Sequence, residues 1–149
     1  MNSLFDPNTA QEIEQRIKSL RVDSPRMWGK MDVAQMMAHC NVSLEAAMGK
    51  IHPKRSLIAK LIGGLLKGQL TNDTLMGKSL PTHPVYIMAN AKEFEKEKSR
   101  FITLLKEFSE GGVAGVTQSP HAFFGKITPM QWSSGTWKHL DHHLRQFGA

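Results

Sequence analysis

The chain is 149 residues long, 40% hydrophobic and 21% charged, with one cysteine and a formal net charge of +6. That size suits a single domain, residues 1–149, with its own core. One cysteine excludes an internal disulfide scaffold, no apolar run approaches the roughly 20 residues that span a bilayer, and MNSLFDPNTAQEIEQ lacks the basic and apolar regions of a signal peptide, so a soluble cytoplasmic protein is expected.

Helix signals dominate from the start. In FDPNTAQEIEQRIKSL, Asp6 can accept orphan N–H bonds and Pro7 loses nothing at the first helical position, while Ile13, Ile17 and Leu20 recur at helical spacing. RVDSPRMWGK reads as a loop. Asp32 then caps a second helix, with Gln35 as its capping-box partner, and the helix runs to about Met48 before Gly49 stops it.

A long crossover follows. Leu57, Ile58, Leu61, Ile62, Leu65 and Leu66 form one apolar stripe, which predicts a short amphipathic helix despite Gly63-Gly64, packed on the bundle or on a dimer partner rather than lying in a membrane surface. Between Lys50 and Lys78, six basic residues (Lys50, Lys54, Arg55, Lys60, Lys67, Lys78) meet one acid, Asp73, so +5 of the +6 lies here. A solvated basic surface accounts for this better than a nucleic-acid or membrane partner, and neither partner is expected.

The third main helix is predicted from Asn90, with Glu93 as capping partner, through Phe94, Phe101, Leu104, Leu105 and Phe108 to Gly111-Gly112. The fourth has Thr128 as cap, Pro129 first, Gln131 completing the box, and Gly148 just past its end. Four main helices with one long connection between the second and third predict an all-α four-helix bundle.

The last helix carries KHLDHHLRQ, three histidines within five residues. Successive helical residues turn by about 100°, so His139 and His143 lie about 40° apart on one face, whereas His142 falls on the other side of His139. The pair borders the apolar stripe of Trp137, Leu140, Leu144 and Phe147; on the second helix, His39 borders the stripe of Val33, Met36, Cys40, Leu44 and Ala47 in the same way. If the two helices lie side by side, one imidazole faces the other two, and three such ligands leave a metal position open for water or substrate. A lone His39 reads as a half-buried polar residue and an HxxxH pair arises by chance; the conjunction is what points to a metal.

Other groups rank lower. Cys40 falls in the middle of an apolar face and reads as a core residue. His52, His83 and His121 fall in loops, where one of them could line the site mouth. Trp132 and Thr136 share the His139 side of the last helix, with packing as the simpler role for Trp132, and Met36 and Ser43 flank His39. A zincin needs glutamate directly after the first histidine of its pair, and here that residue is Leu140; Asp141 points roughly 160° from the pair. No phosphate-binding glycine loop and no serine nucleophile elbow occurs.

DVAQMMAHC with a terminal KHLDHHLRQ resembles the DinB/YfiT-like superfamily of metal-binding helical bundles, and RMWGKMDVAQMMAHC and HAFFGKITPMQWSSGTWKHLDHHLRQFG resemble a bacterial DinB-like subgroup over essentially the whole chain. The resemblance implies a commonly dimeric four-helix bundle with a long crossover between helices two and three, and a divalent ion on His39, His139 and His143. Where many members read HHRGQ, this chain reads His142-His143-Leu144-Arg145-Gln146, so the glutamine keeps its place and the arginine does not. Members include transferases that use a low-molecular-weight thiol such as bacillithiol or mycothiol.

The leading expectation is therefore a metal-dependent enzyme with a small-molecule substrate, a thiol S-transferase in homodimeric form. Zinc or nickel ranks ahead of iron or manganese as the ion. The alternatives are a metal-assisted hydrolase and a non-catalytic binding or stress-response module.

Overall fold

The computed structural model describes residues 2–72, 74–78 and 83–149, the Ile58 side chain excepted. Five α-helices account for about half of it: α1 (Pro7–Ser19), α2 (Val33–Ala47), α3 (Leu57–Ile62), α4 (Phe94–Gly111) and α5 (Pro129–Gln146). Short 3-10 turns occupy Lys67–Leu70, Pro84–Tyr86 and Gly112–Gly115, and no strand forms among the described residues. No helix there is long and apolar enough to cross a membrane.

The helix starts follow from local chemistry. Asp6 accepts the Thr9 N–H at 2.8 Å, and both capping boxes form, Asp32 with Gln35 and Thr128 with Gln131. The third main helix departs from expectation: α4 begins at Phe94, not after Asn90, and Glu93 stands at its cap without a side-chain bond. The Asn90 carbonyl instead accepts from Gln35 Nε2 at 3.3 Å, and Glu95 and Glu97 complement the helix dipole in the first turn.

Two helices, α1 and α2, each pack against both α4 and α5. Between them lies a core of Leu4, Ile13, Ile17, Met36, Met37, Cys40, Leu44, Phe101, Leu105, Phe108, Leu140 and Leu144. Cys40 is buried in that core with its sulfur 3.8 Å from Met36 Sδ, and burial pushes its thiol well above the ordinary range. It is a packing residue and not a nucleophile.

The short helix expected in the crossover forms, but it is shorter than its apolar stripe and does not bury that stripe on the bundle. The helix stops at Ile62, and Leu57, Leu61 and Leu65 remain 77%, 79% and 85% exposed instead of packing on this chain. Gly63 explains the stop. Its Cα lies against the Phe123 carbonyl, where any Cβ would collide, so the backbone is drawn onto the 121–125 turn rather than along a longer helix. The Ile58 side chain and Asp73, both part of the sequence reading, lie outside the described residues.

The basic residues of the crossover mostly tether it. Lys50 reaches Glu107 at 2.6 Å, Lys67 the Lys126 carbonyl at 2.6 Å, and Lys78 lies 4.4 Å above the Trp28 ring. From α5, Lys138 reaches back to the Gln69 carbonyl at 2.7 Å and Asn72 Oδ1 at 2.6 Å.

Asp141 anchors α5 to α1. It is 5% exposed and meets Arg16 at 2.8 Å and Arg145 at 2.8 Å, while Arg16 also donates to the Ala149 carbonyl at 3.0 Å. Removing the buried carboxylate strands Arg16, so Asp141→Ala should lower unfolding free energy by about 2–4 kcal/mol. Arg145, 54% exposed, should lose less than about 1 kcal/mol on conversion to alanine. Urea denaturation of the two variants measures the difference.

Candidate metal centre

Helices α2 and α5 run antiparallel along their shared seam: His39 meets His139, and Ala46, two turns beyond the first, shares a cavity with Trp132, two turns before the second. His39, His139 and His143 cluster there, each offering one ring nitrogen within 4.8 Å of the others. The ring centroids are 4.6 to 4.9 Å apart. His142 stays outside the cluster, tilted against Trp28 at 5.4 Å, as its helical angle requires.

Which nitrogen each ring presents follows from its other bonds. His39 Nδ1 lies 2.8 Å from the Tyr86 carbonyl, which can only accept, so the proton sits on Nδ1 and neutral His39 carries its lone pair on Nε2. That Nε2 is 2.9 Å from His139 Nε2. For His143 the argument runs through glutamine. The Trp28 carbonyl accepts from Gln146 Nε2 at 2.7 Å, which turns Gln146 Oε1 toward His143 Nδ1 at 2.9 Å and again leaves the lone pair on Nε2. His139 Nδ1 is buried without a partner among the described residues.

Burial keeps these rings neutral. It holds His39 below the ordinary histidine range against the opposing Tyr86 bond, brings His143 down to about 3, and holds His139 well below its usual value, with neighbouring imidazoles adding repulsion. Neutral imidazole is the metal-ligating form, so the lone pairs are available near pH 7. Three neutral nitrogen donors, two of them held by hydrogen bonds at the opposite ring atom, fit a divalent transition ion. The three histidines can hold one.

The surrounding residues divide clearly. Met36 and Thr136 are buried and Ser43 half-buried, whereas Trp132 presses its ring on His121 at 4.8 Å and lines the cavity beside the cluster. Asp141, tied to arginines on the opposite side, is no base for this site. Of the loop histidines, His83 is held between the Lys54 carbonyl and the Val85 N–H, and His52 lines the cavity. His121 packs between the Trp132 and Phe124 rings, at 4.8 and 4.9 Å.

The orienting groups were not singled out by the sequence reading. Tyr86 lies in a 3-10 turn 47 residues along the chain from His39, in no pattern that spacing records, and only folding brings its carbonyl to His39. The Trp28–Gln146 contact did leave a trace. Gly29 has φ +82, and a Cβ there would collide with the Gln146 amide, so the WG pair of the loop marks where the glutamine docks.

An all-α protein with a buried three-histidine cluster is thus the class that fold and site define. The chain belongs to the family described as "Protein of unknown function (DUF1569)", whose profile matches residues 5–149. Neither a curated protein nor a solved structure matches it.

His121 makes acid sensitivity measurable. Its Nδ1 accepts the Phe123 and Phe124 N–H groups at 3.0 and 3.2 Å, and burial with the nearby Arg55 charge brings its pKa down to about 4 from the ordinary histidine value of 6.5. As pH falls through 6.5 the unfolded chain binds this proton and the folded chain does not until about 4, so stability is present above 6.5 and lost across that window. His121→Gln should flatten the loss between pH 6.5 and 4 by on the order of 2 kcal/mol, read as the difference in slope of unfolding free energy against pH.

Proposed function

We propose that the protein is a DinB-type metalloenzyme in which α1, α2, α4 and α5 form a four-helix bundle and residues 1–149 a single domain. His39, His139 and His143 hold one divalent transition ion, zinc or nickel ahead of iron or manganese. The observation that carries this reading is the convergence of three neutral imidazoles from two helices, with His39 and His143 oriented by the Tyr86 carbonyl and the Gln146 amide. A closed structural site would use four protein ligands, whereas three leave room for a reactant.

The ion, when bound, supplies Lewis acidity that makes a thiol or water a nucleophile near neutral pH. Around it this chain's own residues hold the rings neutral by burial and direct the Nε2 atoms of His39 and His143 inward. With the resemblance to thiol-using DinB transferases, this supports a cytoplasmic, homodimeric S-transferase acting on a small molecule with a low-molecular-weight thiol as cosubstrate.

Elemental analysis of tag-free protein tests the metal reading. Wild type should carry about one equivalent of a transition metal, and His39→Ala, His139→Ala and His143→Ala should each lose it while far-UV circular dichroism stays largely helical. Gln146→Ala, which frees the His143 ring, should weaken metal affinity about 10- to 100-fold. Equal metal in wild type and the histidine variants would sink the assignment. For the transferase reading, an electrophile should be consumed only when metal and a thiol are both present; equal turnover without thiol would favour hydrolysis instead.

A further inference from the structure

Beside the histidine cluster lies a cavity of about 200 Å3 whose walls include Ala46, Tyr86 and Trp132, with Arg55, Thr117 and Ser119 supplying polar groups. Its cation is unusual in this molecule. Arg16, Arg21, Arg100 and Arg145 each meet a carboxylate and Arg26 is exposed, but Arg55 is half-buried and no carboxylate among the described residues pairs with it. Its Nη2 donates to the Ala59 carbonyl at 2.8 Å and the Phe123 carbonyl at 3.4 Å. Its Nε is buried without a partner, and Nη1 makes no hydrogen bond among the described residues. A guanidinium removed from water without a counter-charge is costly, and an anion entering the cavity offsets that cost.

The position of the cavity connects it to the cluster. Tyr86 lines the cavity with its side of the crossover while its carbonyl orients His39. Trp132 precedes His139 by two turns, about 10 Å along α5. The imidazole of His121 lies 4.8 Å from the Trp132 ring, and Gly125, its bridge partner, abuts the Arg55 guanidinium. A molecule held at Arg55 therefore extends over Trp132 and His121 toward the three histidines.

We infer that this cavity is the binding site for a carboxylate-bearing small molecule with an apolar body, Arg55 taking the carboxylate and Trp132 and Tyr86 the body. One guanidinium, with Nη2 already engaged, balances a single negative charge. A phosphate dianion would leave net charge against apolar walls, with the hydroxyls of Thr117 and Ser119 and the imidazole of His52 to share it. The direction of the reactive end, toward His139, rests on the metal reading above; the anion site does not.

Benzoate, benzamide and phenylphosphonate serve as probes, titrated into the tag-free full-length protein at pH 7 and followed by tryptophan fluorescence and thermal shift. Benzoate should bind at least about tenfold more tightly than its neutral isostere benzamide. Arg55→Gln should abolish that preference and Arg55→Lys should retain part of it, with benzamide affinity unchanged in both. Equal affinity of wild type for benzoate and benzamide would overturn the inference without recourse to any variant, as would a preference that survives in Arg55→Gln. Tighter binding of phenylphosphonate than benzoate would overturn the carboxylate class. Selective benzoate binding by wild type that takes up no metal leaves this inference standing and removes the metal reading; metal uptake without benzoate selectivity does the reverse.

Discussion

Burying three imidazoles at one helix seam imposes a condition on much of the rest of the chain. Each ring must stay neutral, and a neutral ring has one donor and one acceptor nitrogen whose order is set by what the outer nitrogen meets. The Tyr86 carbonyl sets it for His39, and the Trp28 carbonyl, acting through the Gln146 amide, sets it for His143. The amide of Gln146 has no choice of orientation, because its NH2 faces an acceptor. A loop before α2 thereby determines which nitrogen of a histidine in α5 points inward. The Met27 N–H bond to the Gln146 carbonyl, 2.8 Å, holds the same loop in place.

Such control requires α5 not to rotate, and the structure holds it from several sides. Leu140 and Leu144 are sunk in the core, Asp141 is tied to Arg16 of α1, and Lys138 grips the crossover carbonyls. The Leu70 side chain sits against Gly135, where a Cβ would not fit. A rotation of one residue position, about 100°, would break all of these contacts together. The helix is buried around much of its circumference, which is why a segment so rich in polar residues is also a core element.

The positive charge concentrated in the crossover has more than one use. Lys50, Lys67 and Lys78 fasten the segment to helix, loop and aromatic ring, so half of its six basic residues are engaged within the chain. Arg55 is different in kind, being drawn inward to carbonyls with no carboxylate beside it among the described residues. Leu57, Leu61 and Leu65 stay in solvent, because Gly63 pulls the backbone toward the 121–125 turn and leaves their face without a partner among the described residues.

The sequence by itself determined what local chemistry and helical period control. Asp6-Pro7, Asp32 with Gln35, and Thr128-Pro129 with Gln131 start three helices where they were read, since a cap needs only residues within one turn. The 100° step also separated His139 and His143 from His142 and placed His39 at the edge of its stripe. Tertiary structure decided the rest. The start of α4 moved to Phe94 because the Asn90 carbonyl is taken by Gln35, and the crossover helix ended early because Gly63 meets Phe123. The orientation of the histidine rings and the isolation of Arg55 depend on carbonyls supplied by distant segments. A main-chain carbonyl is the same group in every residue, so no residue type announces which one will be used, and only the folded chain brings a particular one within reach.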